Sequence, residues 1–91
     1  MLIRSQDKTV IVNIDNTFNI AIRDINGATA IYIGTQGSCC NMAEYSTKAK
    51  AMKVLNMIQE AYERYEYEKA FKTGPALFET FQMPEDSEVE I

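Results

Sequence analysis

Apolar and polar residues alternate through the first half of the chain, which is the pattern of strands that bury one face. Val10, Val12 and Ile14 share one side of one such run, and Ile20 and Ile22 share one side of the next. β-Branched residues of this kind suit a pleated, half-buried surface. The pattern predicts strands over residues 2–5, 9–14, 18–25, 28–34 and 39–45.

Short polar stretches separate the predicted strands. The side chains of Asp15-Asn16 favour a turn because they bond to nearby backbone, and residues 35–38 form another polar turn. Asn26-Gly27 is the dipeptide that most strongly indicates a two-residue hairpin. Connections this short cannot hold a parallel crossover. We therefore expect a four- to five-stranded antiparallel β-meander.

From Ser46 and Thr47 onward the apolar period changes from two residues to three or four. Either hydroxyl can accept a hydrogen bond from the first helical turn, and Gly74-Pro75 is a typical helix end. The apolar stripe consists of Ala51, Val54, Leu55, Ile58, Ala61, Tyr62 and Tyr65. The sequence predicts one long amphipathic α-helix over residues 47–72, packed on one face of the sheet, in an α+β fold.

The length of this predicted helix exceeds that of the sheet. Residues 47–72 span about 39 Å at 1.5 Å per residue, whereas strands of five or six residues span only ~17–20 Å. The far end, which carries Tyr62, Tyr65, Tyr67 and Phe71, should therefore extend past the sheet. Its aromatic residues need cover, either from the C-terminal segment or from a second chain.

The chain divides into a single α+β domain over residues 1–73 and a C-terminal extension over residues 74–91. Within the extension, residues 76–83 form a docking segment that is rich in apolar side chains, and residues 84–91 form an acidic tail that we expect to be disordered. The predicted core consists of Ile3, Val10, Val12, Ile20, Ile22, Ile31, Ile33, Val54, Leu55 and Ile58.

Length and charge limit the classes of function. The 91 residues suffice for one small domain, and a net charge of −4 disfavours nucleic acid as a partner. Lys48, Lys50 and Lys53 are most simply a solvated helical turn. No apolar run is long enough for a secretory signal or a membrane span, so we expect a cytoplasmic protein without a membrane partner.

Few residues in this chain suit catalysis. It has no His, the commonest general base near neutral pH, and its only cysteines, Cys39 and Cys40, are adjacent and unsuited to an internal disulfide. Glycine-rich phosphate loops and zinc-ligand spacings are absent from the sequence, and the helical glutamates fit a solvated flank. We therefore predict no catalytic residue, no cofactor-binding residue and no metal ligand, and we do not expect an enzyme.

Three segments carry a resemblance to a known group. Residues 1–7 read MLIRSQD, residues 11–13 read IVN, and residues 43–51 read AEYSTKAKA. The chain resembles small uncharacterised proteins of Gram-positive bacteria and their prophages, in which Gly usually occupies the position of Ala43. The resemblance covers roughly residues 1–65. It implies the same α+β fold and a bacterial or phage context, and it brings no activity or site residue.

Two hypotheses for function remain. The first is a non-enzymatic protein-interaction module, homodimeric through the late helix and the C-terminal segment, or bound to another protein. Its predicted interaction surface consists of Tyr62, Tyr65, Phe71, Leu77, Phe78 and Phe81. The alternative is a small accessory enzyme or ligand-binding protein with a site at the sheet edge.

Overall fold

A computed structural model describes residues 1–16, 19–35, 38–71 and 80–90, with the side chains of all but residues 16, 25, 35, 69 and 71 within these ranges. The strands are β1 (Leu2–Arg4), β2 (Ile11–Asn13), β3 (Asn19–Ile25), β4 (Ala28–Thr35), β5 (Ser38–Tyr45) and β6 (Thr80–Gln82), and the long helix is α1 (Lys48–Phe71). Short 3-10 helices cover Ile14–Asn16 and Asp86–Glu88. The α+β class with one long helix is confirmed.

The strands form two three-stranded sheets, with the orders β2-β1-β6 and β3-β4-β5. The predicted meander accounts for β3, β4 and β5, which pair antiparallel, and β1 pairs antiparallel with β2. The structure differs from a single meander because β6 pairs parallel with β1. The chain reaches β6 through α1, so the short connection that imposes antiparallel pairing is absent there.

The hairpin between β3 and β4 is the one that Asn26-Gly27 predicts. Asn26 has φ 50° and Gly27 has φ 82°, as a type I′ turn requires at both central positions. The register then continues without a shift from Ile25 and Ala28 to Asn19 and Gly34. The turn therefore fixes which side chains of β3 and β4 face the helix.

Helix α1 lies across the larger sheet, which consists of the longer strands β3, β4 and β5, and contacts all three. Its N-cap is Thr47, whose Oγ1 accepts a hydrogen bond from the Lys50 N–H at 3.2 Å. The predicted bounds of 47–72 lie within one residue of the observed Lys48–Phe71 at each end. In the part of the chain that the structure describes, no helix has the length and apolarity to cross a membrane.

The core lies between α1 and the two sheets. Five of the residues predicted for it are fully buried: Ile3, Ile31, Ile33, Val54 and Ile58. Three others are half-buried and pack against it: Val12, Ile20 and Ile22. Leu55 is half-buried as well. Val10 was predicted wrongly, because it precedes β2 and is 39% exposed. The prediction omitted Met42, Tyr45, Met83 and Val89, all of which are buried.

The prediction of a disordered tail over residues 84–91 is wrong for residues 84–90. Asp86–Glu88 form a 3-10 helix, and Val89 is only 5% exposed. α1 begins with lysines and has no acidic residue in its first turn. Since a helix N-terminus favours negative charge, the acidic tail docks there rather than remaining in solvent.

The helix length predicts that the aromatic residues of the late helix extend past the sheet, but two of them pack against the chain's own core. Tyr62 and Tyr65 pack against the core of their own chain, whereas Tyr67 is 67% exposed. Phe81, in β6, also packs against this core. In the described chain the C-terminal strand therefore docks on its own domain.

Candidate functional site

The β1–β2 turn is held by hydrogen bonds that converge on Asp7. Its Oδ1 accepts from the Ser5 hydroxyl at 2.7 Å, from the Thr9 hydroxyl at 2.7 Å and from the Thr9 N–H at 3.0 Å. These bonds, those from Thr9 foremost, lower the pKa of the Asp7 carboxyl to about 2. The Arg4 guanidinium donates twice to the Lys8 carbonyl, and Lys8 has φ 68°. The hydrogen bonds of Arg4 and Asp7 therefore hold the turn in one conformation.

Gln6 connects this turn to two other segments. Its backbone N–H donates to the Met42 carbonyl at 2.8 Å. Its side-chain amide accepts from the Glu44 N–H and donates to the Glu44 carbonyl, each at 3.1 Å. The same amide nitrogen donates to the Pro84 carbonyl at 3.1 Å. One glutamine thus joins β1, β5 and the C-terminal segment.

A polar cleft of about 420 Å³ lies where these segments meet, at the edge of β5. It is lined by Gln6, Asp7, Asn41, Met42, Ala43 and Glu44. Of its two carboxylates, Asp7 already accepts three hydrogen bonds at Oδ1, and Glu44 accepts from the Asn41 amide at 3.3 Å. A carboxyl with a pKa of about 2 is a poor proton acceptor at neutral pH. The polar groups of the cleft therefore hold the structure together.

Tyr45, Ser46 and Lys50 hold the tail in a similar way. The buried Tyr45 hydroxyl donates to the Pro84 carbonyl at 2.8 Å, and burial raises its pKa. The Ser46 N–H and hydroxyl donate to Asp86 at 2.7 and 3.0 Å, and the Lys50 ammonium lies 3.4 Å from that carboxylate. The bond from the Ser46 N–H is the largest cause that lowers the pKa of Asp86. Residues in both the 1–7 and the 43–51 segments thus form hydrogen bonds that hold the fold together.

An apolar groove of about 230 Å³ lies at the opposite edge of the larger sheet, between β3 and α1. It is lined by Ile14, Ile20, Leu55, Ile58, Gln59 and Tyr62. Most of this lining is aliphatic or aromatic, and the groove opens to solvent. The sequence predicts three of these residues, Ile20, Leu55 and Ile58, as core, because a strand alternation and a helical stripe look the same whether the space between them is filled or open.

The predicted interaction surface is only partly brought together. Tyr62 lines the apolar groove, and the Tyr65 ring centroid lies 6.5 Å from that of Tyr62. A hydrogen bond to Glu66 raises the pKa of the Tyr62 hydroxyl. Phe81 lies at a separate small cleft, beside Ala61 and Arg64 of α1. The Phe71 side chain, Leu77 and Phe78 lie outside the described residues.

The two edges of the larger sheet differ. The β5 edge meets the β1–β2 turn through Gln6, whereas within the described residues β3 pairs with β4 alone. Elsewhere in the sheet, Cys39 is an exposed free thiol and Cys40 a half-buried one. No group of three or more metal-ligating side chains occurs among the described residues. The open edge of β3 and the groove beside it are the candidate functional site.

Comparison of the chain with protein-family models, with curated proteins and with solved structures found no match.

Proposed function

We propose that this protein is a non-enzymatic interaction module that self-associates through the apolar groove between β3 and the middle of α1. The observation that supports the proposal is the composition of that groove. Leu55 and Tyr62 are half-buried, and together with the buried Ile58 they line an opening of about 230 Å³. Apolar surface of this kind is stabilised when another surface removes it from water.

Tyr62 is the groove residue best suited to a protein–protein contact. Tyrosine combines a large apolar ring with a polar hydroxyl, and such residues often dominate the energy of protein interfaces. Tyr62 stands beside Tyr65 and forms one wall of the groove. A partner would therefore meet an aromatic wall on α1 and an aliphatic one on Ile14 and Ile20.

The alternative function, an enzyme or ligand-binding protein with a site at the sheet edge, has one feature in its favour, the polar cleft at β5. Its polar side chains already bond to one another or to backbone, as Gln6, Asp7 and Glu44 do. A ligand there would have to displace bonds that join the two sheets. We therefore favour self-association, and the proposal includes a cytoplasmic protein in the bacterial or phage context that the resemblance implies.

The test is the native mass by size-exclusion chromatography with light scattering, across a wide dilution series. We expect a dimer that dissociates on dilution, and Tyr62→Ala should raise its dissociation constant by about tenfold or more. Tyr67→Ala is the matched control, because Tyr67 is an exposed tyrosine of the same helix outside the groove. A monomer at every concentration, or equal effects of the two variants, would contradict the proposal.

A further inference from the structure

The hydrogen-bonding pattern of β3 determines which backbone groups face its open edge. A two-residue turn makes its flanking residues, Ile25 and Ala28, a hydrogen-bonded pair. Because the register has no shift, such pairs recur at every second residue along β3. Arg23 and Ala21 therefore bond to β4.

The backbone groups of the residues that alternate with Ala21 and Arg23 have the opposite orientation. The N–H and C=O groups of Ile20, Ile22 and Asp24 point away from β4 toward the open edge. Among the described residues no other strand pairs with them. β3 therefore offers a row of backbone donors and acceptors along seven residues, which is the template that a further strand requires.

This edge has few of the features that usually protect an exposed strand. β3 contains no proline, lysine or register shift. Its two charged side chains are turned toward β4. The Arg23 guanidinium lies 5.4 Å from the centroid of the Tyr32 ring, and Asp24 accepts a hydrogen bond from the Thr29 hydroxyl at 3.1 Å. Both charged groups therefore have a partner within their own sheet.

The apolar groove lies directly beside the same edge, since Ile20 of β3 forms one of its walls. A strand added to β3 would extend the sheet beneath α1. Its alternate side chains would then enter the groove, against Leu55 and Tyr62. The open edge and the apolar groove thus suit one occupant, an extended segment with an apolar residue that faces the groove.

We propose that this occupant is β3 of a second copy of the chain, paired antiparallel about a two-fold axis at Ile22. This inference rests on the proposed function and specifies how self-association occurs. The pairing joins two three-stranded sheets into one continuous sheet, with both helices on the same face. It uses the β-strand addition by which many proteins recognise extended segments.

The chain's own β3 is complementary to itself in this register. Ile22 of one copy lies opposite Ile22 of the other, and Ile20 lies opposite Asp24. Arg23 lies opposite Ala21, so no two like charges are directly opposed. Like charges in that position would destabilise the pairing. Ile22 of each copy lies diagonal to Ile20 of the other and supplies the apolar residue nearest the groove. Asp24, which lies opposite Ile20, keeps the hydrogen bond from the Thr29 hydroxyl of its own sheet.

Amide hydrogen exchange on the unmodified protein tests the inference residue by residue. At concentrations where the protein is dimeric, the amides of Ile20, Ile22 and Asp24 should exchange at least about tenfold more slowly than in dilute solution. The amides of Ala21 and Arg23 bond to β4 in both states and should not respond to dilution. A dimer in which the first three amides are as fast as in dilute solution would overturn edge pairing and leave self-association intact.

Lysine substitution provides the second measurement. Ile22→Lys places two ammonium groups opposite each other at the two-fold axis and should raise the dissociation constant by more than about tenfold. Ile11→Lys is the matched control, because Ile11 is an exposed isoleucine of β2, another edge strand. Thermal melts and circular dichroism confirm that each variant folds.

The remaining outcomes separate this inference from the proposed function. If Ile11→Lys weakens the dimer as much as Ile22→Lys, edge pairing at β3 is wrong. A protein that is monomeric throughout overturns the proposed function, and this inference with it. A monomer whose Ile22 amide is protected only when an extended apolar peptide is added would show that the occupant is not a second copy.

Discussion

Arg4, Ser5, Gln6 and Asp7 form a run of polar residues that would suit a binding site, yet each has a structural partner within the chain. Arg4 and Asp7 fix the turn, and Gln6 joins three segments. Ser5 is buried, and its hydroxyl accepts from the Val10 N–H at 3.1 Å. A buried polar group is costly unless it is paired, so these residues specify the turn and the joint between the sheets.

Gln6→Ala tests the role of the glutamine at that joint. The substitution leaves the Glu44 N–H and the Pro84 carbonyl without their partner, and we expect it to lower the free energy of unfolding by about 1–3 kcal/mol. Urea denaturation measures the change. Gln59→Ala should stay within about 0.5 kcal/mol, because the Gln59 amide bonds only to Glu63 on the helix surface. Equal losses would contradict a specific role for Gln6.

The Asp7 carboxyl should titrate far below its ordinary value. Its pKa falls from 3.8 to about 2, so its contribution to stability is complete above pH 3.8 and is lost as the pH falls toward 2. NMR of the carboxyl carbon measures the midpoint. Thr9→Ala removes the largest cause and should move that midpoint upward, whereas Thr47→Ala should leave it unchanged.

At the scale of elements, the helix and the tail have complementary charge. α1 carries Lys50 and Lys53 near its N-terminus, where positive charge is unfavourable. Lys50 pairs with Asp86, and the Lys53 ammonium donates to the Glu90 carbonyl. Asp86 is bound as a carboxylate and has a lowered pKa. We therefore expect the tail to remain docked above the ordinary pKa of 3.8 and to loosen as the pH falls below it.

Val89→Ala tests whether the tail contributes to the folded state through its apolar contact. Val89 is 5% exposed and belongs to the core, so the truncation should lower the free energy of unfolding by about 1–2 kcal/mol. Glu90→Ala serves as the control, since Glu90 is exposed and its carbonyl is retained. A Val89→Ala variant as stable as the unmodified protein would mean that the tail does not dock in solution.

At the scale of the whole molecule, the two sheets share one core. Ile3 of β1 and Ile31 and Ile33 of β4 are completely buried in the same cluster. Val54 and Ile58 of α1 complete it. Since neither sheet has a separate apolar layer, we expect the domain to unfold in one cooperative step.

Ile3→Ala should therefore destabilise both sheets together. Removing a fully buried isoleucine costs about 2–5 kcal/mol, a large fraction of the stability of a small domain. Tyrosine fluorescence and far-ultraviolet circular dichroism should give the same midpoint in urea. Ile11→Ala, at a position 54% exposed on the same hairpin, should change stability by about 0.5 kcal/mol or less. Separate midpoints for the two probes would contradict a shared core.

Local signals in the sequence determined the elements of this protein. Asn26-Gly27 specified the hairpin because only residues that tolerate positive φ fit its turn. Thr47 and the apolar stripe specified α1, since capping and helical periodicity depend on residues close in sequence. The buried positions Ile31, Ile33 and Val54 followed from the same periodicities.

Only the tertiary structure decided the contacts between distant segments. The parallel pairing of β6 with β1, the bonds of Gln6 and the docking of Asp86 join residues that are far apart in sequence. Periodicity shows which face of an element is apolar, but not what covers it. It therefore could not distinguish the filled core at Ile31 from the open groove at Ile20, where the candidate site lies.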